Sequence, residues 1–474
     1  MQDELVWMSA DQLAGLYRQR AVSPVEVVDA TLEQLAKVDP KVNAFVTVTA
    51  ESARAQAKDA ESAFMRGKTD LPALYGIPIT VKDLTETAGV RTTYGSLRYA
   101  DHVPDVDSLS WARLKSAGTI LIGKTTTPEF GMLGVTESKL TGTTGNPWDP
   151  TRTSGGSSGG AAAACVAGVG PLAWGSDGGG SIRVPSSVCG AVGIKPTTGR
   201  IPLSGNTDPD STDGPITRTV VDAALLLDAT VGHHPEDRFS LPRFGEDFAG
   251  AARSEGDLSG LRIAANADLG QGPIDPETRR VFMAALDDMA SAGAVIEQVD
   301  LSLPDVVEYF VRYWGPFYIT LADEFAADGY ELWPKAAWVA EQARQLTPVE
   351  VSRAMREVKT DLYNAYARVF QSFDLLVTPT TPLPAFPHAG DLGCLEVVDG
   401  VRLKNPGFFF HRLTEPPAHA GLPALSVPCG FTKDLLPVGL QIIGPLFADL
   451  AVIRAAAAYE RATAWTAHHP PLAL

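Results

Sequence analysis

The chain has 474 residues, 45% of them hydrophobic and 20% charged, with 39 basic against 56 acidic residues and a net charge of −17. That length supports a core without disulfide staples, and that composition excludes long disordered tracts. A chain this acidic argues against a general nucleic-acid or anionic-membrane partner.

In chain order the first elements read as helices. Ser9 followed by Gln12 forms a capping box ahead of Leu13, Leu16 and Tyr17. Ser23-Pro24 with Glu26 starts a second helix carrying Val28, Leu32 and Leu35. Residues 42–49 read as a strand and 51–67 as a surface helix ending at Gly67. A β–α alternation follows: an apolar strand in 76–84, a helix over 108–118 and a strand over 119–124. The pattern returns with strands at 261–266 and 294–301 around a helix at 276–292. Helices fill the middle, around LADEF and then over 349–373. Strands at 374–380, 424–429 and 436–444 and a helix over 447–463 complete the chain. Alternation over the whole length predicts an α/β layered fold.

Cys165, Cys189, Cys394 and Cys429 form no C-x-x-C pair and read as small buried hydrophobes. The N-terminal MQDELVWMSADQ lacks the basic and apolar regions of a secretory signal, and no run reaches 18 apolar residues. A reduced, cytoplasmic setting is the expectation.

Residues 153–180 stand apart, with ten glycines between 155 and 180. The central AAAACVAGV is small on every face, which predicts a helix packed on all sides and flanked by turns whose backbone approaches a ligand closely. Familiar motifs fail here. Gly170 to Gly175 has phosphate-loop spacing, but Ser176 stands where lysine is needed. Residues 155–159 match G-x-S-x-G, yet the preceding NPWDPTRTS is loop chemistry rather than the strand a nucleophile elbow requires. His and Cys show no metal-ligand spacing.

The positive signal is a set: GGSSGG at 155–160, SDGGGSIRVP at 176–185 and GIPITVKD at 76–83, which puts Lys82 at the end of an apolar strand. Together these resemble the amidase signature family, serine hydrolases with a Ser–Ser–Lys triad. The resemblance extends through GKTTTPEFG, NPWDP, GPITRTVVDAALLLD and GLPALSVPCG…LPVGLQIIG, and fades over about 300–415. It implies a single domain over 1–474 with a central mixed β-sheet covered on both faces by helices. It places the catalytic core at about 70–230 and a variable substrate-pocket region at about 300–415.

The resemblance assigns Ser181 as nucleophile, Ser157 as bridging serine after a cis peptide, and Lys82 as base. It makes Gly178, Gly179, Gly180 and Ser181 an oxyanion turn, with Ser154, Ser176, Asp177 and Arg183 as polar supports. The set works without histidine, because a lysine made neutral by burial takes the serine proton. Asp83 would oppose this, but strand alternation points it to the other face. Neither metal nor cofactor is implied. The expected partner is a small-molecule amide, with no nucleic acid and no membrane, and a homodimer is compatible.

The expected reaction is hydrolysis of a carboxylic amide through an acyl-enzyme, releasing ammonia or an amine. Carbamate, anilide and ester hydrolysis share that chemistry and stay open. So does the role of the ammonia-passing component of a tRNA-dependent amidotransferase, although Gly178 replaces the threonine usual in those subunits. Nylon-oligomer amidases are another similarity of the SDGGGSIR form. Trp314, Phe317, Tyr318, Phe409 and Phe410 are candidates to line the substrate pocket. Asp434-Leu435-Leu436 departs from the family's Gly-Leu-Pro turn and is expected to alter a loop at the site's edge.

Overall fold

Eleven strands form one mixed sheet in a computed structural model of the chain, which describes residues 2–205, 211–388 and 394–474. Its first six strands are β1 (Phe45–Val48), β2 (Pro78–Lys82), β3 (Ile120–Thr125), β4 (Leu172–Asp177), β5 (Val192–Lys195) and β6 (Thr212–Thr217). The others are β7 (Arg262–Ala265), β8 (Val295–Gln298), β9 (Leu375–Pro379), β10 (Ala424–Phe431) and β11 (Pro437–Ile443). Across the sheet the order is β1-β3-β2-β4-β6-β5-β10-β11-β9-β7-β8. β2 runs parallel to both β3 and β4, while β4 and β6 are antiparallel.

Strand alternation explains why both faces are covered. Ile79, Val81, Leu172 and Trp174 enter one hydrophobic cluster with the helices Val220–Thr230 and Asp449–Thr463. Ala173, between Leu172 and Trp174, packs in a different cluster with the helices Gly159–Val166 and Arg183–Cys189. Successive side chains face opposite ways, so a strand buried on both sides reads as a continuous apolar run.

Both predicted capping boxes form, at Ser9–Gln12 and Ser23–Glu26. The helix begun at Ser23 runs through Val42, so the first strand starts at Phe45 rather than at 42. The helical reading of 349–373 holds over Pro348–Val369, where a π-helical turn over Ala354–Val358 lies between the α-helices Pro348–Arg353 and Lys359–Val369. β4 was not expected: its tryptophan and alanine are outnumbered locally by glycines that favour a turn reading. The Asp434–Leu436 turn joins β10 to β11, and Asp434 and Leu436 line a separate hollow with Arg152 and Pro387. It is not at the edge of the cavity described below.

All of Gly159–Val166 is buried, as the small-residue run predicts. The contact is close enough that a Cβ on Gly160 would stand 2.6 Å from the Thr126 backbone nitrogen and 2.7 Å from the Ala44 carbonyl oxygen. Backbone on both sides leaves little room to relax. Gly160→Ala is therefore expected to cost about 1–3 kcal/mol despite alanine's better helix propensity. Thermal or denaturant unfolding measures it, and an unchanged midpoint would contradict this packing.

Candidate active site

Two parallel strands deliver the polar groups to one end of the sheet. β2 ends at Lys82 and β4 ends at Ser176 and Asp177. Ile79 and Val81 fill the opposite face, so Lys82 projects toward the helix Gly159–Val166. Its Nζ lies 2.6 Å from Ser157 Oγ and 3.0 Å from Ser176 Oγ, and the side chain is wholly buried. Burial lowers its pKa to about 7, against the upward pull of Asp213 and Asp177. Asp83 points away, accepting from the Thr93 backbone N–H at 2.9 Å and from the Thr93 hydroxyl, with Lys124 3.9 Å distant.

Ser157 sits in the turn before the buried helix, and the Gly156–Ser157 peptide is cis. The next residue ties the two glycine-rich segments together. Ser158 N–H donates to the Ser181 carbonyl at 3.1 Å, and Ser158 Oγ donates to the Ser176 carbonyl at 3.3 Å. Ser154 does not join this network: its hydroxyl donates to the Thr144 carbonyl, behind the turn.

Asp177 shapes the turn that carries Ser181. Its carboxylate accepts from the N–H groups of Gly180 at 2.7 Å and Ile182 at 3.2 Å. It also meets Arg183 through Nε at 2.9 Å and Nη2 at 2.8 Å, a bidentate pair with both side chains fully buried. Burial alone would raise the Asp177 pKa, but Arg183 and the turn amides hold it below the usual range. Arg183 is spent on this carboxylate and on Gln441 Oε1 at 2.7 Å.

The Gly180 N–H is thus already used. The N–H groups of Gly178, Gly179 and Ser181 have no partner among the described residues. On the far side Thr414 Oγ1 donates to the Gly179 carbonyl at 2.8 Å. The Gly179–Gly180 peptide is therefore gripped at both its C=O and its N–H. Gly179 has to be glycine, since a Cβ there would stand 1.9 Å from Glu415 Oε2. Thr414 and Glu415 are site residues that sequence reading misses, because they lie some 235 residues downstream with no local motif.

Ser157, Ser176, the Gly178–Gly180 turn and Ser181 open onto a cavity of about 490 Å³, a size suited to a small molecule. Phe130, Phe310, Tyr313, Trp314, Phe317 and Tyr318 supply its aromatic walls. Three of the five predicted aromatics are therefore in place. Phe409 and Phe410 are not: both are 1% exposed and pack in the core, Phe410 edge-on to Phe386 at 4.8 Å. Among the described residues Glu415 is the cavity's one carboxylate, and three donors already meet it. Trp314 Nε1 at 3.2 Å, His419 Nε2 at 2.8 Å and His411 Nδ1 at 3.0 Å surround it. Burial would raise its pKa, but the two histidines hold it at about 2.

Comparison with known proteins gives the family. The amidase family model matches residues 26–453. An acylamidase of Rhodococcus erythropolis is 36% identical, with 99% of this chain and 98% of that protein covered. One subunit of the glutamyl-tRNA(Gln) amidotransferase of Moorella thermoacetica is also 36% identical, with 99% of both chains covered. The crystal structure of a bacterial aryl acylamidase, an amidase signature enzyme, superposes with a TM-score of 0.88 at 30% identity and 97% coverage of both chains.

The Asp177–Arg183 pair generates a stability prediction. Asp177→Asn leaves Arg183 buried without its counter-charge, which typically costs about 3–5 kcal/mol. Denaturant unfolding should show a loss of that order. A variant as stable as the parent would mean that the pair does not hold the turn.

Proposed function

The chain belongs to the amidase family and is an amide-hydrolysing enzyme, and on that premise we propose that it works through an acyl-enzyme on Ser181 with Ser157 and Lys82 as its proton relay. The observation that carries this reading is the buried Lys82 amine 2.6 Å from Ser157 Oγ, behind the cavity that Ser157 and Ser181 both line. A neutral amine keeps two N–H groups and one lone pair. Donation to Ser176 leaves the lone pair for the Ser157 proton, and Ser157 in turn takes the proton of Ser181.

Ser181 Oγ attacks the amide carbon, and the developing oxyanion is met by the N–H groups of Ser181, Gly179 and Gly178. One such donor is worth roughly 3–4 kcal/mol in the transition state. Collapse breaks the C–N bond, and the amine leaves with the proton returned through Ser157. Water, deprotonated by the same relay, then cleaves the acyl ester and frees the carboxylate and Ser181. Asp177 acts at one remove, by holding the turn through Gly180 and Ile182.

The walls select for neutral substrates with an aromatic or otherwise apolar group. The aromatic rings supply contact area, and the carboxylate of Glu415 is engaged by Trp314, His411 and His419 rather than presented to a substrate cation. The acylamidase and aryl acylamidase named among the similar proteins support this class. The amidotransferase relatives favour another reading, and position 178 bears on it. A Cβ on Gly178 would stand 3.1 Å from Ser211 Oγ and 3.2 Å from Trp314 Cη2, so the threonine side chain usual in those relatives would crowd both.

Ser181→Ala should lower turnover by several orders of magnitude with the fold intact. Near-parental activity in the folded variant would sink the assignment.

The base predicts a pH dependence of a definite sign. Lys82 titrates at about 7, so it is protonated and idle below that pH and neutral above it. kcat/KM should rise through pH 7 and stay high at mildly alkaline pH. Lys82→Ala should lose most activity at pH 7, more on amides than on activated esters, because an expelled amine needs the returned proton. Equal amide hydrolysis by parent and variant would refute the relay.

A further inference from the structure

We infer that His411 is a hydrogen-bond acceptor within the substrate cavity and selects substrates that present an N–H or O–H donor to it. The inference rests on the proposed amide hydrolysis at Ser181 and adds a residue that this chemistry does not use. His411 lines the same cavity as Ser181 and is only 7% exposed. Its Nδ1 is 3.0 Å from Glu415 Oε2. A carboxylate accepts and does not donate, so Nδ1 carries the hydrogen. Burial disfavours the charged imidazolium, and the neutral ring then bears its lone pair on Nε2.

That lone pair has no partner among the described residues. Cδ2 faces Gly134, 3.4 Å from where a Cβ would stand. The rings of Phe310 and Phe408 flank the imidazole at 5.7 Å and 6.2 Å between centroids and offer no donor. The nearby cations are engaged elsewhere. Lys335 donates to the Gly407 carbonyl and lies over the Phe408 ring, and Arg412 Nη1 donates to the Gln271 carbonyl at 2.8 Å. A ligand that fills the cavity takes the place of solvent at this acceptor, so one that brings a donor gains and one that does not leaves the acceptor unpaired and is rejected.

The acceptor is also held in fixed relation to the chemistry. Glu415, which orients His411, lies against Gly179 of the proposed oxyanion turn and is pinned by Trp314 and His419. The donor it reads is either the scissile amide N–H or a hydroxyl or N–H on the substrate's aromatic group. The chemistry is shared, and matched substrates separate the two sources.

The experiment measures kcat/KM on two pairs: an acetanilide against its N-methyl analogue, and a hydroxyl-substituted anilide against its methoxy analogue. The parent should prefer the donor-bearing member of one pair by about tenfold or more. The decisive variant is His411→Asn, whose side-chain NH₂ replaces the Nδ1–H toward Glu415 but has nothing at the position of Nε2. It should bring that preference down toward one. A merely structural His411 predicts an unchanged ratio in His411→Asn, and that result overturns the inference. Where the variant does not fold, the parent alone suffices, since ratios near one for both pairs also overturn it. Ser181-dependent turnover without either preference refutes the His411 role only, whereas turnover that survives Ser181→Ala refutes the reading beneath it.

Discussion

The dryness of Lys82 is the constraint on which the site depends. Three carboxylates stand near enough to spoil it, and each is turned to another task. Asp83 is bound by Thr93 and faces Lys124 across the strand. Asp213, paired with Ser176 in the antiparallel register of β4 and β6, accepts from Ser110. Asp177 is neutralised by Arg183 at two contacts and by turn amides. Burial then outweighs the remaining attraction, and the amine titrates at about 7 instead of the ordinary 10.5. Asp213 keeps the largest remaining upward pull, since a hydroxyl partner does not cancel its charge, and burial still prevails.

The same Asp177–Arg183 pair links the turn to the far side of the fold. Arg183 reaches Gln441 on β11, and Gln441 Nε2 donates to the Leu413 carbonyl at 3.0 Å. Leu413 precedes Thr414, which returns to the turn by donating to the Gly179 carbonyl. The side chains of the circuit, Asp177, Arg183, Gln441 and Thr414, are all fully buried. Buried networks of this kind rigidify when every member is satisfied. The proposed oxyanion turn is made largely of glycine and has no rigidity of its own, so the stiffness comes from these four side chains.

What the sequence discloses follows from how local each determinant is. Lys82, Ser157 and Ser181 sit in short segments whose composition is unusual for loops, and their spacing matches a family pattern. The buried helix Gly159–Val166 is legible because smallness on every face has one structural meaning. β4 is not legible, because a strand that must pass close to Ser158 carries Gly175 and runs straight into Gly178, Gly179 and Gly180. Phe409 and Phe410 show the limit for aromatics, since sequence gives size and apolarity but not whether a side chain faces a cavity or the core. Thr414, Glu415 and His411 carry no motif. They gain meaning only when the fold brings residues 411–415 against residues 178–180, a contact that neither periodicity nor spacing encodes.

Specificity and chemistry are physically coupled here by Trp314. The proposed relay comes from segments between 78 and 181, whereas much of the aromatic wall comes from the helix Val306–Ala327. Trp314 on that helix touches both. Its indole N–H holds Glu415, and its ring lies 3.2–3.3 Å from where a side chain on Gly178 would begin. Enlarging the cavity by truncating Trp314 would therefore remove a donor from a buried carboxylate and a wall from the oxyanion turn at once. Replacing Phe317, which is 48% exposed, disturbs neither. The cavity thus has a fixed wall that sets the turn and a free wall that sets the fit. Substrate range can diverge along the free wall while the positions that hold Ser181 stay as they are.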